Sequence, residues 1–272
     1  MMRSVRLHGD DGVLDVGEEG AGKPIVLLHS LLADRAVFDA IVPLLARERR
    51  VIVPDLPGFG GSSSAGATIE GIADRIASLF DALKLGAEAD VLGNGFGGFI
   101  ASMLAIRHGD KFDRLVLADT GIAFTPEGKQ SFYAMADRVR QNGMEAIVDV
   151  AMKRLFPDDF IAAHPEIVAE RRNALVKTNP EFFAEACHAL ATLDLTVQIG
   201  AIRNRTLVVV GELDTATPPE MSHVLARALP DAELLEIPGC GHAPMVQAPE
   251  TFVRAISGFL DLKRAADLRG GA

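Results

Sequence analysis

The residues able to do chemistry gather at the ends of short apolar runs. His29-Ser30-Leu31-Leu32 follows the run 25–28, and Asp55-Leu56-Pro57-Gly58-Phe59-Gly60-Gly61-Ser62 follows the run 50–53. Gly93-Asn94-Gly95-Phe96-Gly97-Gly98 stands between an apolar run and a helical stretch, and Gly211-Glu212-Leu213-Asp214 and Gly239-Cys240-Gly241-His242 close the last two runs. An imidazole moves protons near neutral pH, and a carboxylate can orient it. Hydroxyls and thiols are nucleophiles once a base activates them. A glycine-rich turn opening a helix presents backbone N–H groups to negative charge. His8, His108, His164, His188 and His223 show no metal-ligand spacing, so neither a metal nor a cofactor is implied.

These loops need elements to hold them. Residues 25–28, 50–53, 90–92, 115–117, 206–210 and 232–237 are short, apolar and largely β-branched, and they read as buried strands. Residues 37–46, 69–83, 96–107, 219–229 and 249–262 carry apolar side chains at helical spacing. Strands alternating with helices imply βαβ units, hence a mostly parallel sheet with helices on both faces. The alternation breaks between 122 and 199, where helices punctuated by Pro157, Pro165 and Pro180 are expected and no strand is. The expected organisation is therefore an α/β core of residues 1–121 and 200–264, a helical lid of 122–199, and a disordered tail of 265–272. In open parallel sheets ligands bind outside the carboxyl ends of the strands, where such a lid would cover them.

Composition narrows the function classes. The chain has 272 residues, 27 basic against 37 acidic, for a net charge of −10. That balance argues against a general grip on nucleic acid. Apolar runs such as 24–28 and 206–210 are far shorter than the roughly 20 residues of a membrane span. No apolar signal segment opens the sequence, and Cys187 and Cys240 are too few for a disulfide framework, so a cytoplasmic location is expected. A homo-oligomer is left open.

The strand-end loops resemble those of the α/β-hydrolase family. That family carries a nucleophile on a G-x-S-x-G elbow, then an acid, then a histidine, in that chain order. Asp214 matches the acid and His242 the base, which the resemblance implies would take a proton while Asp214 fixes its tautomer. The elbow matches residues 93–97, but Gly95 stands where the family has serine. Glycine tolerates the elbow backbone and supplies no hydroxyl. The resemblance places the oxyanion hole at the backbone N–H groups of Leu31 and Phe96. His29 and Asp55 would organise loops.

Three accounts of Gly95 stand open: a natural variant that activates water, a removed serine, or a silent ligand-binding protein. Ser30, Ser62, Ser63, Ser64 and Cys240 could replace the missing nucleophile, although each reads more readily as a loop residue. Restoring serine with Gly95→Ser is expected to create esterase activity. Gly93, Gly95 and Gly98 also form a dinucleotide-binding pattern, with Asp119 following Gly93 by 26 residues. An oxidoreductase of that kind leaves His29, the 55–62 loop, Asp214 and His242 without roles.

The span 132–140, with Asn142-Gly143-Met144, Lys153-Arg154-Leu155-Phe156, Lys177-Thr178-Asn179-Pro180 and Cys187-His188, resembles the lid of 3-oxoadipate enol-lactonases and related carboxylester hydrolases. It departs at Phe132, where tryptophan is expected, and at Gln247, where glutamate is common. The resemblance implies a small ester or lactone substrate. An anionic one would be met by Arg138 and Arg154, with Ser30 also against the substrate.

Overall fold

A computed structural model describes residues 2–7, 12–66 and 68–263. The expected tail and His8 lie outside the described residues. The elements in chain order are β1 (Met2–Arg6), β2 (Val13–Gly20), β3 (Lys23–Leu28), α1 (Val42–Leu45), β4 (Arg49–Pro54), α2 (Ile69–Leu83), β5 (Asp90–Asn94), α3 (Phe96–His108) and β6 (Leu115–Ala118). They continue with α4 (Pro126–Asn142), α5 (Val148–Leu155), α6 (Asp158–Ala163), α7 (Pro165–Leu175), α8 (Pro180–Thr192), β7 (Thr206–Gly211), α9 (Pro219–Ala228), β8 (Ala232–Ile237), α10 (Pro244–Gln247) and α11 (Pro249–Ser257). Among the described residues no helix is long and apolar enough to cross a membrane.

The eight strands form one sheet in the order β1-β2-β4-β3-β5-β6-β7-β8. Strands β3 to β8 pair in parallel, while β1 and β2 are antiparallel to their neighbours. The central strands are buried on both faces, which explains their unbroken apolar runs. β1 and β2 escape the sequence reading for a physical reason. β2 buries only Leu14 and Val16 on one face, and its remaining residues, including Gly17, Glu18, Glu19 and Gly20, carry no apolar run.

The helix expected over 37–46 is instead a 3₁₀ turn, Arg35–Phe38, followed by the four-residue α1. Pro43 in the first turn of α1 lacks the N–H that a continuous helix would use. The last helix stops at Ser257, short of the expected 262.

Five helices, α4 to α8, occupy the span between β6 and β7. Thr125 caps α4 by accepting from Gly128 N–H, and Asn179 caps α8 by accepting from Glu181 and Phe182 N–H. A single bridge pairs Ala123 with Asp194, and Leu195 N–H donates to Ile122 O at 2.8 Å. The two ends of the span are thus tied together where it leaves the sheet.

All of the first ten residues of α3 are buried, and the helix packs against β3, β5, β6 and α2. Glycines bring its N-terminus against the sheet. A Cβ on Gly97 would lie far closer than van der Waals contact to Leu28 O, and one on Gly93 likewise to Gly97 O. Both obstacles are backbone and cannot rotate away. Gly97→Ala should therefore lower unfolding free energy by about 2 kcal/mol or more. Urea denaturation measures it; a loss within the experimental scatter would show that this approach is not tight.

Candidate active site

The parallel strands end on one side of the sheet and deliver the chemistry-bearing loops together. β3 and β5 run in register from Ile25↔Asp90 to Leu28↔Gly93, so the loop after Leu28 meets the turn at Gly95. β7 and β8 end side by side at Gly211↔Ile237, which brings Asp214 to His242.

His242 and Asp214 form a buried pair. His242 Nδ1 donates to Asp214 Oδ2 at 2.9 Å. The other carboxylate oxygen accepts from Ala216 N–H at 2.8 Å and Thr217 N–H at 3.1 Å, and Thr217 Oγ1 lies 2.7 Å from Oδ2. Burial alone would raise the Asp214 carboxyl, but the imidazole's charge and the hydrogen bonds from His242 and Thr217 outweigh it and hold it below its ordinary value. With Nδ1–H donating to Asp214, the neutral form of the ring has Nε2 as its acceptor.

A second carboxyl, Asp119, completes this buried group, and nothing in the sequence marks it as a member. It sits at the end of β6 with φ 51°, a left-handed backbone rare outside glycine. Its Oδ1 accepts from Gly211 N–H at 2.8 Å, and Asn94 Nδ2 lies 3.3 Å from Oδ2. Burial first, and then the negative charge of Asp214, push Asp119 well above the ordinary carboxyl range. Only the adjacency of β6 and β7 in the sheet reveals it. Asp119, Asp214 and His242 have ligand-capable atoms within 4.8 Å of one another.

Gly95 has φ 54° and caps α3. A Cβ built on it would lie 2.6 Å from His242 Nε2 and 2.6 Å from Ser30 Oγ. The ends of both side chains would shift to admit a serine at residue 95. Ser30 Oγ already stands 3.1 Å from His242 Nε2.

The N–H groups of Leu31 and Phe96 make no hydrogen bond to another described residue, whereas Gly97 N–H donates to His29 O and Gly98 N–H to Gly95 O. The start of α3 thus keeps one free donor, too few to cradle a pyrophosphate. Asp119, which a dinucleotide site would need at its mouth, is buried and engaged with Gly211. The dinucleotide expectation fails on both counts.

Ser30, Leu31, Gly95, Phe96 and His242 line a cavity of about 30 Å³, shared with Phe132, Arg154 and Thr217. That is room for a water or two. A neighbouring cavity of about 530 Å³ shares Phe124, Phe132, Arg154 and Ala216 and adds Met221, Val224 and Pro218. Arg154 is half-buried between the two, hydrogen-bonded to Ser131 Oγ at 2.7 Å. Burial lowers its guanidinium, partly offset by Cys187. Arg138 is exposed on α4 and lines neither cavity, so it does not join the site.

His29 ties two loops. Its Nδ1–H donates to Ser30 O at 2.9 Å, and Leu56 N–H donates to its Nε2 at 3.0 Å. Burial lowers its pKa from 6.5 to about 4, against the raising effect of the Ser30 hydrogen bond. Between pH 6.5 and 4 the unfolded chain binds a proton that the folded one refuses. The resulting stability is complete above pH 6.5 and is lost as pH falls toward 4. Relative to His29→Gln, the native chain should lose up to about 3 kcal/mol between about pH 7 and pH 4. Urea titrations at the two pH values test it, and a difference independent of pH would remove this account.

Comparisons with known proteins bear on the fold and the family. Residues 23–249 match the family model described as the alpha/beta hydrolase fold. A 2-hydroxymuconate semialdehyde hydrolase from Pseudomonas sp. (strain CF600) is 30% identical over 260 residues, covering 89% of this chain and 88% of that protein. A thermophilic esterase from Thermogutta terrifontis, solved with malate bound, superposes with a TM-score of 0.87 at 32% identity, covering 96% of this chain and 98% of that one. The enol-lactonase from Burkholderia xenovorans LB400 gives 0.88 at 28% identity, covering 95% and 100%. This chain therefore belongs to the α/β-hydrolase fold family.

Proposed function

We propose that the protein hydrolyses a small carboxylic ester or lactone. His242 serves as general base and acid, Asp214 orients it, and the N–H groups of Leu31 and Phe96 form the oxyanion hole. The observation that carries this reading is the buried His242–Asp214 pair at 2.9 Å, whose Nε2 faces a cavity also lined by Leu31 and Phe96. A base there removes a proton from the attacking hydroxyl and returns it to the leaving oxygen. The two N–H groups receive the charge that develops on the carbonyl oxygen. Helices α4 to α8 act as the lid.

The 530 Å³ cavity has the size of a small-molecule site and supplies the substrate pocket. Its aromatic and aliphatic wall suits an organic acyl or lactone ring. Arg154, which pairs with no carboxylate among the described residues, would take a substrate carboxylate. Glu220 also lines this cavity but is paired with Arg227 at 2.8 Å. The Thermogutta esterase and the Burkholderia enol-lactonase, among the solved relatives, support an ester or lactone. Two buried free cysteines are compatible with a cytoplasmic setting.

His242→Ala should reduce turnover of a short acyl ester by roughly 10³-fold or more. Arg154→Gln should raise KM about tenfold for an ester bearing a carboxylate and leave a neutral ester nearly unchanged. Steady-state kinetics on a matched pair of esters measure both. The absence of a hydroxyl at residue 95 favours a second reading, a silent binder of small ligands. Native protein inert on a broad panel of esters and lactones would leave that reading standing.

A further inference from the structure

The hydrolase reading leaves one question, namely which hydroxyl gives its proton to His242 once residue 95 has none. We propose that Ser30, on the loop after β3, is the nucleophile, and that Ser30–His242–Asp214 is a relocated catalytic triad.

Three observations carry this. Ser30 Oγ lies 3.1 Å from His242 Nε2, and His242 Nδ1 lies 2.9 Å from Asp214 Oδ2. That is the nucleophile–base–orienter chain that acyl transfer needs. Second, Ser30 Oγ enters the space beside residue 95, 2.6 Å from where a Cβ there would be. Third, the donors still fit. On an elbow the oxyanion hole uses the N–H of the residue after the nucleophile plus one N–H from the facing loop. With Ser30 as nucleophile, the following residue is Leu31 and the facing loop supplies Phe96. Both N–H groups are free of protein acceptors among the described residues, and both residues line the cavity that Ser30 lines. The two loops exchange roles without moving.

The other candidates fall away. Ser62 Oγ donates to Asp55 O and accepts from Asp15 N–H; Ser63 and Ser64 accept from Val13 and Gly66 N–H. Ser102 Oγ donates to Gly98 O within α3. Cys240 lines neither cavity, and burial pushes its thiol up to about 11. Ser30, by contrast, is anchored through its backbone with its hydroxyl turned to the base. Its carbonyl accepts from His29 Nδ1–H and from Ala33 N–H.

The chemistry balances. Ser30 Oγ–H gives its proton to His242 Nε2 as the Oγ–C bond forms, and the carbonyl electrons move onto oxygen in the Leu31/Phe96 hole. The tetrahedral centre collapses, the ester C–O bond breaks, and Nε2–H protonates the leaving oxygen. A water then attacks the acyl-Ser30 ester and loses a proton to Nε2. Breakage of the Oγ–C bond releases the carboxylic acid and returns the proton to Ser30.

The test labels the native chain with a fluorophosphonate probe and maps the adduct by peptide mass spectrometry. In parallel, turnover of 4-nitrophenyl acetate is measured for native, Ser30→Ala and His242→Ala proteins, with circular dichroism to establish folding. The expected result is a phosphonyl adduct on Ser30, absent from His242→Ala, and a loss of turnover of at least about 100-fold in Ser30→Ala. If Ser30→Ala keeps turnover within about threefold while His242→Ala abolishes it, a water is the attacking group: Ser30 is excluded and the hydrolase reading survives. If the native protein turns over no ester or lactone, the hydrolase reading fails. The labelling then decides Ser30 by itself, an adduct supporting an activated serine and no adduct overturning it.

Discussion

The hydrogen bond between His242 and Asp214 is the interaction that the surrounding structure serves. It is buried, and a buried carboxylate is tolerated only when its charge is shared and its lone pairs are satisfied. The loop after β7 meets that condition by turning two N–H groups, of Ala216 and Thr217, onto one oxygen, leaving the other for the imidazole. A second carboxyl in the same pocket would defeat the arrangement if it were also charged. Burial and then the negative charge of Asp214 push Asp119 well above the ordinary carboxyl range, so a second negative charge in this pocket is disfavoured.

Asn94 links this group to the loop that carries the histidine. Its Nδ2 lies 3.0 Å from His242 O as well as 3.3 Å from Asp119 Oδ2. The residue ends β5, next to Gly95. The elbow sequence therefore still positions the base even though it carries no nucleophile, which explains why its local geometry matters beyond residue 95. The same turn requires the glycines at 93 and 97, where strand and helix backbones leave no space for a side chain.

Much of this is legible in the chain. The central strands stand out because both faces are buried, so they appear as apolar runs. The chemistry-bearing residues stand out because parallel strands all end on one side. The antiparallel strands β1 and β2 are not legible, since an edge element needs only alternate apolar residues such as Leu14 and Val16. Arg138 and Arg154 look alike in sequence, and only the packing of α4 and α5 separates an exposed guanidinium from a half-buried one. Asp119 is visible as a strand-end acid, but its partner lies 95 residues away in the chain, in the loop after a neighbouring strand. Sequence spacing carries no information about that pairing until the order of β6 and β7 is known.

The relation between Gly95 and Ser30 has the same character. An elbow that carries its own nucleophile must hold a side chain at positive φ, a conformation that costs of order 1 kcal/mol or more for most residues. Gly95 keeps φ 54° without that cost, and Ser30, which is not among the positive-φ residues, presents its hydroxyl from an unstrained backbone. In the proposed arrangement the turn and the nucleophile are therefore separate: glycine preserves the close approach of α3 to the sheet and its free Phe96 N–H, while the facing loop brings the oxygen to His242. The separation depends on the loop's being fixed, and His29 fixes it by donating to Ser30 O while accepting from Leu56 N–H. A neutral, deeply buried histidine is suited to that bridge because it offers one donor and one acceptor on opposite sides of a rigid ring.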